Sequence, residues 1–291
     1  MKKQIASLLV AFILCSSLTL PAWATRTEIS ESSITWFTLG EGESVRSYSR
    51  EMGWVLVYTG NDIKIGDGVF REELRIIDLK TQAEVREYNF FSSFEEDLAV
   101  VGLCQADVEK YGFIDKAGNA VIPLEYTQAN GFSEGMAAVG IGAWESAIYG
   151  YIDKTGKTII QPEYDEAGDF FEGLAKVGKK DAYGNLKYGL IDKTGKIVVP
   201  LEYDVLGYAA NTIDEVTERI YGSVEYEPNQ PIRVAKTGSD GNMKYGYIDK
   251  SGRELVPIMY DEAYGFVNGL AKVGKKDDNW DIKYGYIDVK G

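Results

Sequence analysis

The sequence predicts an all-β protein built from tandem, three-stranded antiparallel repeats of about 38 residues each. Three observations lead to this fold class. A segment of the type Tyr-Gly-x-Ile-Asp recurs along the chain, it places its first and third residues on one face of a strand, and a turn with a glycine at a fixed position follows it. The composition agrees, because 32 glycines and 20 tyrosines in 291 residues suit short strands joined by tight turns.

The aspartate of this segment marks the extent of the repeat array. It recurs at a nearly constant step of about 38 residues, with one longer step in the fourth repeat. Its positions are 78, 115, 153, 192, 249 and 288, the first in a degenerate copy and the last in a partial one. The array is therefore predicted to cover residues 74–291, with repeats near 74–110, 111–148, 149–187, 188–244 and 245–283 and a partial copy at 284–291.

The first half of each repeat is predicted to be a hairpin, as one copy illustrates. Residues 149–153 form strand A, in which Tyr149 and Tyr151 share one face, while Gly150 lets a neighbouring strand or aromatic ring approach the other. The Asp-Lys-Thr-Gly turn follows, because its aspartate can cap backbone N–H groups and Gly156 supplies a left-handed residue. We expect a positive φ at all four equivalent glycines, Gly118, Gly156, Gly195 and Gly252.

The second half of the repeat is predicted to complete a three-stranded meander. Strand B, residues 158–161, is expected to end at Pro162, which cannot donate to a ladder. Residues 163–172 then cross over as an irregular loop whose aromatic residues fill the core. Strand C, residues 174–177, joins the next strand A through a Gly/Asn/Asp hairpin such as residues 181–185.

These segments resemble the WG-repeat (KWG-type) family of bacterial repeat proteins. The resemblance rests on five aromatic-glycine pairs and on the Ile-Asp-Lys-x-Gly turn that follows each of the first four. The pairs are Tyr111-Gly112, Tyr149-Gly150, Tyr188-Gly189, Tyr245-Gly246 and Tyr284-Gly285, with tyrosine in place of the tryptophan of the family name. The resemblance implies an all-β array, often exported and usually assigned to binding or interaction, and it carries no catalytic residue onto any position.

The N-terminus is predicted to be a signal peptide, residues 1–24. Two lysines precede an apolar run at residues 5–20, and Ala22-Trp23-Ala24 supplies the small-x-small pattern of a cleavage site. Thr25 would then be the first mature residue, with no membrane span left after cleavage. An uncleaved anchor is disfavoured because the apolar run is short. Cys104 would be the one remaining cysteine, so the mature chain would form no intramolecular disulfide.

Two regions depart from the repeat pattern. Residues 25–73 are predicted to be an N-terminal β cap region or an additional blade, with strands at Ile34–Leu39 and 54–59 separated by a polar stretch at 41–50. The longer step in the fourth repeat indicates an insertion at residues 205–230.

Within that insertion, a capping box and helical spacing predict one short helix, residues 213–221. The insertion is interpreted either as a lid over one loop face or as a ligand or partner contact, for which Tyr208 and Tyr221 are candidates.

Composition excludes several chemistries. The chain has no histidine, which rules out Ser-His-Asp and Cys-His nucleophile systems and His-ligated zinc sites. Its net charge of −14 disfavours nucleic acid as a partner, because phosphate backbones would be repelled. The sequence analysis also assigns no cofactor to the chain.

A few side chains are candidates for a site. Trp144 and Trp280, in hairpin loops, are the best candidates for exposed aromatic residues that stack on sugars. Asp277, Asn279 and Asp281 have the spacing of a calcium loop, but an isoleucine stands where an EF-hand needs glycine, so a solvated turn is favoured. The recurring turn aspartates are interpreted as caps, since a glycosidase needs one asymmetric pair of carboxylates.

The sequence therefore predicts an exported, non-enzymatic scaffold that binds a protein or a glycan in the cell envelope or outside the cell. A structural spacer without a ligand is the first alternative, and a glycan-directed hydrolase is the second. We expect an open superhelical array rather than a propeller-like ring. In that array residues 284–288 pair with strand C of the preceding repeat, residues 270–273, and their outer edge stays open.

Overall fold

The computed structural model describes most of the chain, and the described part consists almost entirely of strands. The described residues are 8–13, 34–39, 43–49, 54–65, 69–78, 84–88, 90–105, 108–207 and 230–290. Within these ranges the helical content is one 3-10 turn, Trp144–Ser146, and no helix has the length and apolar character needed to cross a membrane. The all-β prediction is confirmed. The predicted helix at residues 213–221 lies outside the described residues, as do Tyr208 and Tyr221.

The chain divides into two compact units, Met1–Tyr126 and Thr127–Gly291. In the first unit, β1 (Leu8–Ile13) pairs antiparallel with β2 (Ile34–Leu39). Two four-stranded antiparallel meanders follow in the same unit. One contains β3 (Ser44–Ser49), β4 (Trp54–Ile65), β5 (Val69–Asp78) and β6 (Glu84–Tyr88). The other contains β7 (Phe90–Glu95), β8 (Leu98–Gln105), β9 (Val108–Asp115) and β10 (Ala120–Tyr126).

The region predicted as a β cap contributes strands to the first of these meanders. The sequence predicts that the polar stretch at residues 41–50 only separates two strands. In the structure this stretch contains the edge strand β3. Polar side chains suit an edge strand, which has solvent along one side. The two meanders of this unit share a core cluster, formed by Leu56, Leu74, Tyr88, Ala99, Val101 and Ile114.

The described residues of the second unit form four sheets in chain order, all of them antiparallel. The first sheet contains β11 (Gln128–Ala129), β12 (Met136–Ile141), β13 (Ile148–Asp153) and β14 (Thr158–Tyr164). The second contains β15 (Glu166–Phe171), β16 (Leu174–Lys180), β17 (Leu186–Asp192) and β18 (Ile197–Tyr203). The third contains β19 (Val205–Gly207), β20 (Ile232–Thr237), β21 (Met243–Ile248) and β22 (Glu254–Tyr260). The fourth has three strands, β23 (Glu262–Val267), β24 (Leu270–Lys276) and β25 (Ile282–Ile287).

Most sheets thus contain one strand more than the sequence analysis predicts. The crossover expected to be irregular, residues 163–172, contains β15, which pairs with β16. A β-bulge between Ala167 and Phe170 interrupts the period-2 alternation of β15, which is why its sequence does not read as a strand. A four-stranded sheet therefore takes its first two strands from one sequence repeat and its last two from the next.

Strand B also continues beyond its proline. Tyr164 pairs with Tyr149, and Ile160 pairs with Tyr151. β14 therefore bulges around Pro162 and continues, so the prediction that strand B ends at this proline is wrong. Gly150 makes this bulge possible. A Cβ atom at Gly150 would lie 2.4 Å from the carbonyl oxygen of Ile160, so the expected close approach to this glycine is confirmed.

The turn after strand A has the predicted chemistry. Gly118, Gly156, Gly195 and Gly252 have φ angles of 82°, 84°, 83° and 84°, so all four predictions of a left-handed residue are confirmed. In the repeat at residues 149–187, Oδ1 of Asp153 accepts hydrogen bonds from the backbone N–H groups of Thr155 and Lys157. The Thr155 hydroxyl and these N–H groups lower the pKa of Asp153. The aspartate therefore caps the turn.

Within the second unit, sheets pack on one another through a repeated aromatic contact. The Tyr151 ring meets Phe170 of the next sheet edge-on, with centroids 4.9 Å apart, and its hydroxyl donates to the Gly168 carbonyl at 2.8 Å. Tyr247 makes the same contact with Phe266, at 5.0 Å. In these two copies the third residue of strand A fills the core between neighbouring sheets.

The last strand pairs as predicted. β25 pairs with β24 over six residue pairs, from Ala271↔Ile287 to Lys276↔Ile282. Among the described residues, no strand pairs with the other side of β25. β2 pairs with β1, and β4 pairs with β3 and β5. In the part of the chain that the structure describes, the outer edge of β25 is therefore unpaired, in agreement with the predicted open edge.

Candidate functional site

A pocket of about 250 Å³ lies between the first two sheets of the second unit. Tyr149 lines it from β13, Glu166 from β15, Lys176 from β16 and Tyr188 from β17, and Asn130 contributes an amide. Tyr149 and Tyr188 are the same position of strand A in successive repeats. The pocket is therefore a product of the repeat itself.

Cross-strand glycines explain why these two tyrosines stand at the pocket. Tyr149 pairs with Gly140 and Tyr188 pairs with Gly178 on the neighbouring strand C. A Cβ atom would lie 3.3 Å from the Tyr149 ring at Gly140 and 3.0 Å from the Tyr188 ring at Gly178. Each ring thus lies across a glycine, an arrangement that compensates a strand for its missing side chain. Both tyrosines line the pocket.

A polar network surrounds the two rings. The Tyr188 hydroxyl donates to Oε2 of Glu166 at 2.8 Å, and Nζ of Lys176 lies 5.0 Å from the centre of the Tyr188 ring. The Tyr149 hydroxyl donates to Oε1 of Gln128. Burial, and then the hydrogen bond to Glu166, raise the pKa of Tyr188 to about 12. This phenol therefore stays a neutral hydrogen-bond donor at ordinary pH.

This set of side chains is suited to binding a hydroxylated ligand. Tyrosine rings provide apolar faces, and the carboxylate, amide and ammonium groups provide directed acceptors and donors. Glu166 is the one carboxylate among the residues that line the pocket. In the described part of the chain, no group of three or more Cys, Asp or Glu side chains is placed to hold a metal ion.

The two predicted tryptophans are exposed but do not line this pocket. Trp144 is 53% exposed on its 3-10 turn, where its carbonyl accepts a hydrogen bond from Nε2 of Gln128 at 3.0 Å. Trp280 is 72% exposed in the β24–β25 hairpin, and Nζ of Lys276 lies 5.2 Å from its ring centre. Their exposure agrees with the sequence analysis, and their role in binding stays a prediction.

The candidate calcium residues form the favoured turn. Oδ1 of Asp277 accepts hydrogen bonds from the backbone N–H groups of Asn279, at 2.9 Å, and Asp281, at 3.0 Å. These two hydrogen bonds lower the pKa of Asp277, and the bond from Asn279 has the larger effect. Oδ2 of Asp277 lies 3.3 Å from Nζ of Lys283. The same turn, with Asp181 as its cap, connects β16 and β17.

Sequence reasoning missed the pocket because it assigned most tyrosines to the core. The usable signal was the pairing of two motifs. Strand A begins with tyrosine, and strand C carries a glycine that falls opposite it in the antiparallel register. Together, these two motifs distinguish the first residue of strand A, a tyrosine that lies over a glycine, from the third residue, which is buried in the core.

Comparison with known proteins identifies the repeat. A family profile described as "WG containing repeat" matches residues 111–142, 149–183, 188–211 and 245–280. The chain carries WG repeats. No curated protein matches the sequence. The residues that line the candidate pocket all lie within the first three matched segments, so the pocket is formed by the repeat itself.

The solved structures that resemble this chain have low sequence identity to it. A crystal structure of the eukaryotic initiation factor is 8% identical with a TM-score of 0.43, covering 89% of this chain and 69% of that one. The β-propeller domain of the Trilobed protease from Pyrococcus furiosus, reported with an open velcro topology, is 10% identical with a TM-score of 0.33, covering 88% and 85%. TolB from Acinetobacter baumannii is 11% identical with a TM-score of 0.32, covering 76% of this chain and 58% of that one.

Proposed function

We propose that this WG-repeat protein is an exported, non-enzymatic scaffold that binds a glycan through the pocket between two of its repeats. The observation that carries the proposal is the placement of Tyr149 and Tyr188 around one pocket with Glu166, Asn130 and Lys176. Aromatic faces combined with a few convergent polar groups are the usual composition of a small-molecule site. A sugar ring has the matching chemistry, since it offers C–H faces for stacking and hydroxyls for hydrogen bonds.

The size of the pocket supports a single sugar unit as the bound element. Drug-sized ligands and cofactors occupy sites of about 300–1,000 Å³, and this pocket, at about 250 Å³, falls just below that range. One ring of a longer saccharide would fit, with the remainder of the chain outside the pocket. Binding one unit of a polymer suits a scaffold in the cell envelope.

The carboxylate count supports binding rather than hydrolysis. Glycoside hydrolysis uses two carboxyl groups about 5–10 Å apart on either side of the scissile bond. Glu166 is the one carboxylate among the lining residues, and it accepts the hydrogen bond of the Tyr188 hydroxyl. The neighbouring carboxylate of Asp169 accepts a hydrogen bond from the Asn130 amide at 2.8 Å, so both carboxylates are engaged by protein groups. The turn carboxylates, such as Asp153, are hydrogen-bonded within their own turns.

A binding titration tests the glycan proposal. The protein is screened against immobilised bacterial and plant polysaccharides, and the best ligand is titrated by calorimetry. We expect Tyr149→Ala and Tyr188→Ala each to weaken binding about tenfold, equivalent to about 1.4 kcal/mol. Tyr245→Ala is the matched control, since Tyr245 is the same repeat position but does not line the pocket. Equal losses in all three variants, or no saccharide binding at all, would favour the spacer alternative.

The same assay discriminates the hydrolase alternative. The protein is incubated with each bound polysaccharide, and reducing ends are quantified over time. We expect none to be released. Release that Glu166→Gln abolishes would show that the pocket is catalytic.

Export is proposed from the N-terminal pattern of lysines, an apolar run and Ala22-Trp23-Ala24. Removal of residues 1–24 would take away β1, with which β2 pairs. Expression of the full chain in a bacterium, followed by N-terminal sequencing of the envelope or medium fraction, should return a chain that begins at Thr25. A cytoplasmic chain that retains its first residues would contradict export.

A further inference from the structure

The stretch of chain that supplies most of the pocket has a close copy further along the second unit. Residues 164–188 and residues 260–284 begin with the same four residues, Tyr-Asp-Glu-Ala, and share the sequence Gly-Leu-Ala-Lys-Val-Gly-Lys-Lys around strand C. Five of the six pocket-lining residues in the first stretch are identical in the second, where they are Glu262, Ala263, Lys272, Gly274 and Tyr284. The sixth differs, because Tyr264 replaces Gly168.

The backbone around these two positions is the same. Both edge strands, β15 and β23, pair with strand C in the same register and carry a β-bulge at the same place. The carbonyl of Gly168 accepts a hydrogen bond from the Tyr151 hydroxyl at 2.8 Å. The carbonyl of Tyr264 accepts the equivalent bond from the Tyr247 hydroxyl at 2.6 Å. The two places therefore differ in the side chain at this position rather than in the path of the backbone.

The Tyr264 ring lies among the copied residues. Its hydroxyl donates to Oε2 of Glu262 at 3.0 Å, and Nζ of Lys272 lies 5.2 Å from the centre of its ring. The Tyr284 hydroxyl donates to the same carboxylate oxygen at 2.8 Å. Burial, and then the hydrogen bond to Glu262, raise the pKa of Tyr264 to about 12, so its phenol is a neutral donor at ordinary pH. We call this arrangement the self-occupied copy of the site.

The pocket offers the same acceptor without the ring. Among the described residues, Glu166 accepts one hydrogen bond, from the Tyr188 hydroxyl, whereas Glu262 accepts two. The second bond to Glu262 comes from the side chain at position 264, and Gly168 has no side chain to supply it. The pocket therefore holds the groups that contact a hydroxylated ring in the self-occupied copy, with the place of that ring left open.

The fold does not require glycine at position 168. The φ angle of Gly168 lies outside the left-handed range. A Cβ atom there would lie 3.5 Å from the carbonyl oxygen of Lys176, which is an ordinary van der Waals contact. The first sheet of the unit has Asn130 at the equivalent position, and the fourth has Tyr264. The space that glycine leaves in the pocket is therefore the better explanation for this residue.

We propose that Gly168 opens the pocket to its ligand, and that the bound sugar unit takes the place that the Tyr264 ring has in the self-occupied copy. One hydroxyl of the sugar then donates to the Glu166 carboxylate, and the sugar ring lies beside the Lys176 ammonium group. A pyranose and a phenol have the same ring size, and each offers a hydroxyl donor. The choice of a saccharide as the occupant rests on the proposed function, whereas the role of Gly168 does not.

The first test uses p-cresol, which is the tyrosine side chain as a free molecule. Its binding to the full chain is followed by saturation-transfer NMR. We expect p-cresol to bind the wild type, to bind Gly168→Tyr at least about tenfold more weakly, and to regain affinity for a double variant that also carries Tyr264→Gly. The added ring fills one site, and removal of the Tyr264 ring empties the other. No binding by the wild type, undiminished binding by Gly168→Tyr, or no recovery in the double variant would overturn the proposal.

The matched control is Gly207→Tyr. Gly207 is the equivalent position of the third sheet, and a Cβ atom there would lie 3.6 Å from the carbonyl oxygen of Arg233. Gly207 does not line the pocket. We expect this variant to bind p-cresol as the wild type does, and the melting temperatures of both tyrosine variants check that they fold. Equal losses of binding in the two variants would show that an added tyrosine acts through the fold, and would refute the role of Gly168.

The second test repeats the titration with the polysaccharide selected in the binding screen. We expect Gly168→Tyr to weaken saccharide binding at least about tenfold and Gly207→Tyr to leave it unchanged. Saccharide binding that survives in Gly168→Tyr while p-cresol binding is lost would contradict a shared place for sugar and phenol, and the proposed function would stand. Binding of p-cresol in the expected pattern without any saccharide binding would refute the glycan function and support the role of Gly168.

Discussion

Six identical residues, Lys-Tyr-Gly-Tyr-Ile-Asp, occur twice near the end of the chain, at 244–249 and at 283–288. Both copies form a strand, and both pair antiparallel with a strand C. Their environments differ completely. Tyr247 is fully buried against Phe266, whereas Tyr286 is 67% exposed. One sequence thus specifies the strand and its first partner, while burial depends on what occupies the other edge and face.

The sequence of a repeat and its contribution to stability are therefore separate properties. In the internal copy, β22 covers the outer edge and β23 supplies the aromatic contact. In the last copy, no described strand takes the place of β22. Substitutions at equivalent positions should therefore have unequal effects on the free energy of unfolding.

The largest difference is expected at the third residue of the strand. Tyr247→Ala removes a buried ring and its hydrogen bond to the Tyr264 carbonyl, so it should lower the free energy of unfolding by about 3–5 kcal/mol. Tyr286→Ala should change it by less than about 0.5 kcal/mol. Chemical denaturation of both variants measures the difference. Equal losses would mean that Tyr286 is buried in solution.

The glycines should give the next largest difference. Gly246→Ala places a Cβ atom 2.7 Å from the Val256 carbonyl oxygen, and the resulting displacement of strand B should cost about 1–3 kcal/mol. Gly285→Ala meets nothing within 4 Å and should be within about 0.5 kcal/mol of neutral. Thermal unfolding of the two variants under the same conditions tests this. A neutral Gly246→Ala would refute the bulge as the reason for the glycine.

A smaller effect of opposite sign is expected in the hairpins before the two copies. Trp280 has a φ of 67°, and the equivalent residue of the earlier hairpin is Gly241, with a φ of 77°. Left-handed backbone costs a residue with a side chain about 1–2 kcal/mol. Trp280→Gly should therefore stabilise the protein by about 1 kcal/mol in denaturant titrations. Destabilisation would show that the contact of the Trp280 ring with Lys276 outweighs the cost of the left-handed backbone.

The smallest effect concerns acid. Hydrogen bonds from the Ser251 hydroxyl and then from backbone N–H groups lower the pKa of Asp249 in the folded state. A carboxyl pKa that is lower in the folded state than in the unfolded state stabilises the fold at pH values above the unfolded-state pKa, which is about 3.9. That stability is lost as the pH falls through the folded-state pKa. Denaturation between pH 6 and pH 2 should therefore show a shallower acid loss in Asp249→Asn than in the wild type. Identical pH profiles would contradict the capping role.

Part of the candidate site could be foreseen from the sequence. The exposure of Trp144 and Trp280 follows from their places in hairpin loops, and the turn formed by Asp277 follows from its spacing. The pocket between Tyr149 and Tyr188 could not be predicted in the same way. These residues are 39 positions apart, and they meet only because the sheets that contain them pack on each other.

By itself, the sequence determined the local features of this protein: strand A, the pairing of β25 with β24, the capped turn, and the left-handed glycines such as Gly156. These depend on side-chain alternation and turn chemistry within a few residues, which every copy of the motif repeats. Only the tertiary structure decided that β15 is a strand, that β14 continues past Pro162, and that Tyr247 is buried while Tyr286 is exposed. The physical reason is that bulges and desolvation depend on the neighbouring strand and sheet, and identical local sequences can have different neighbours.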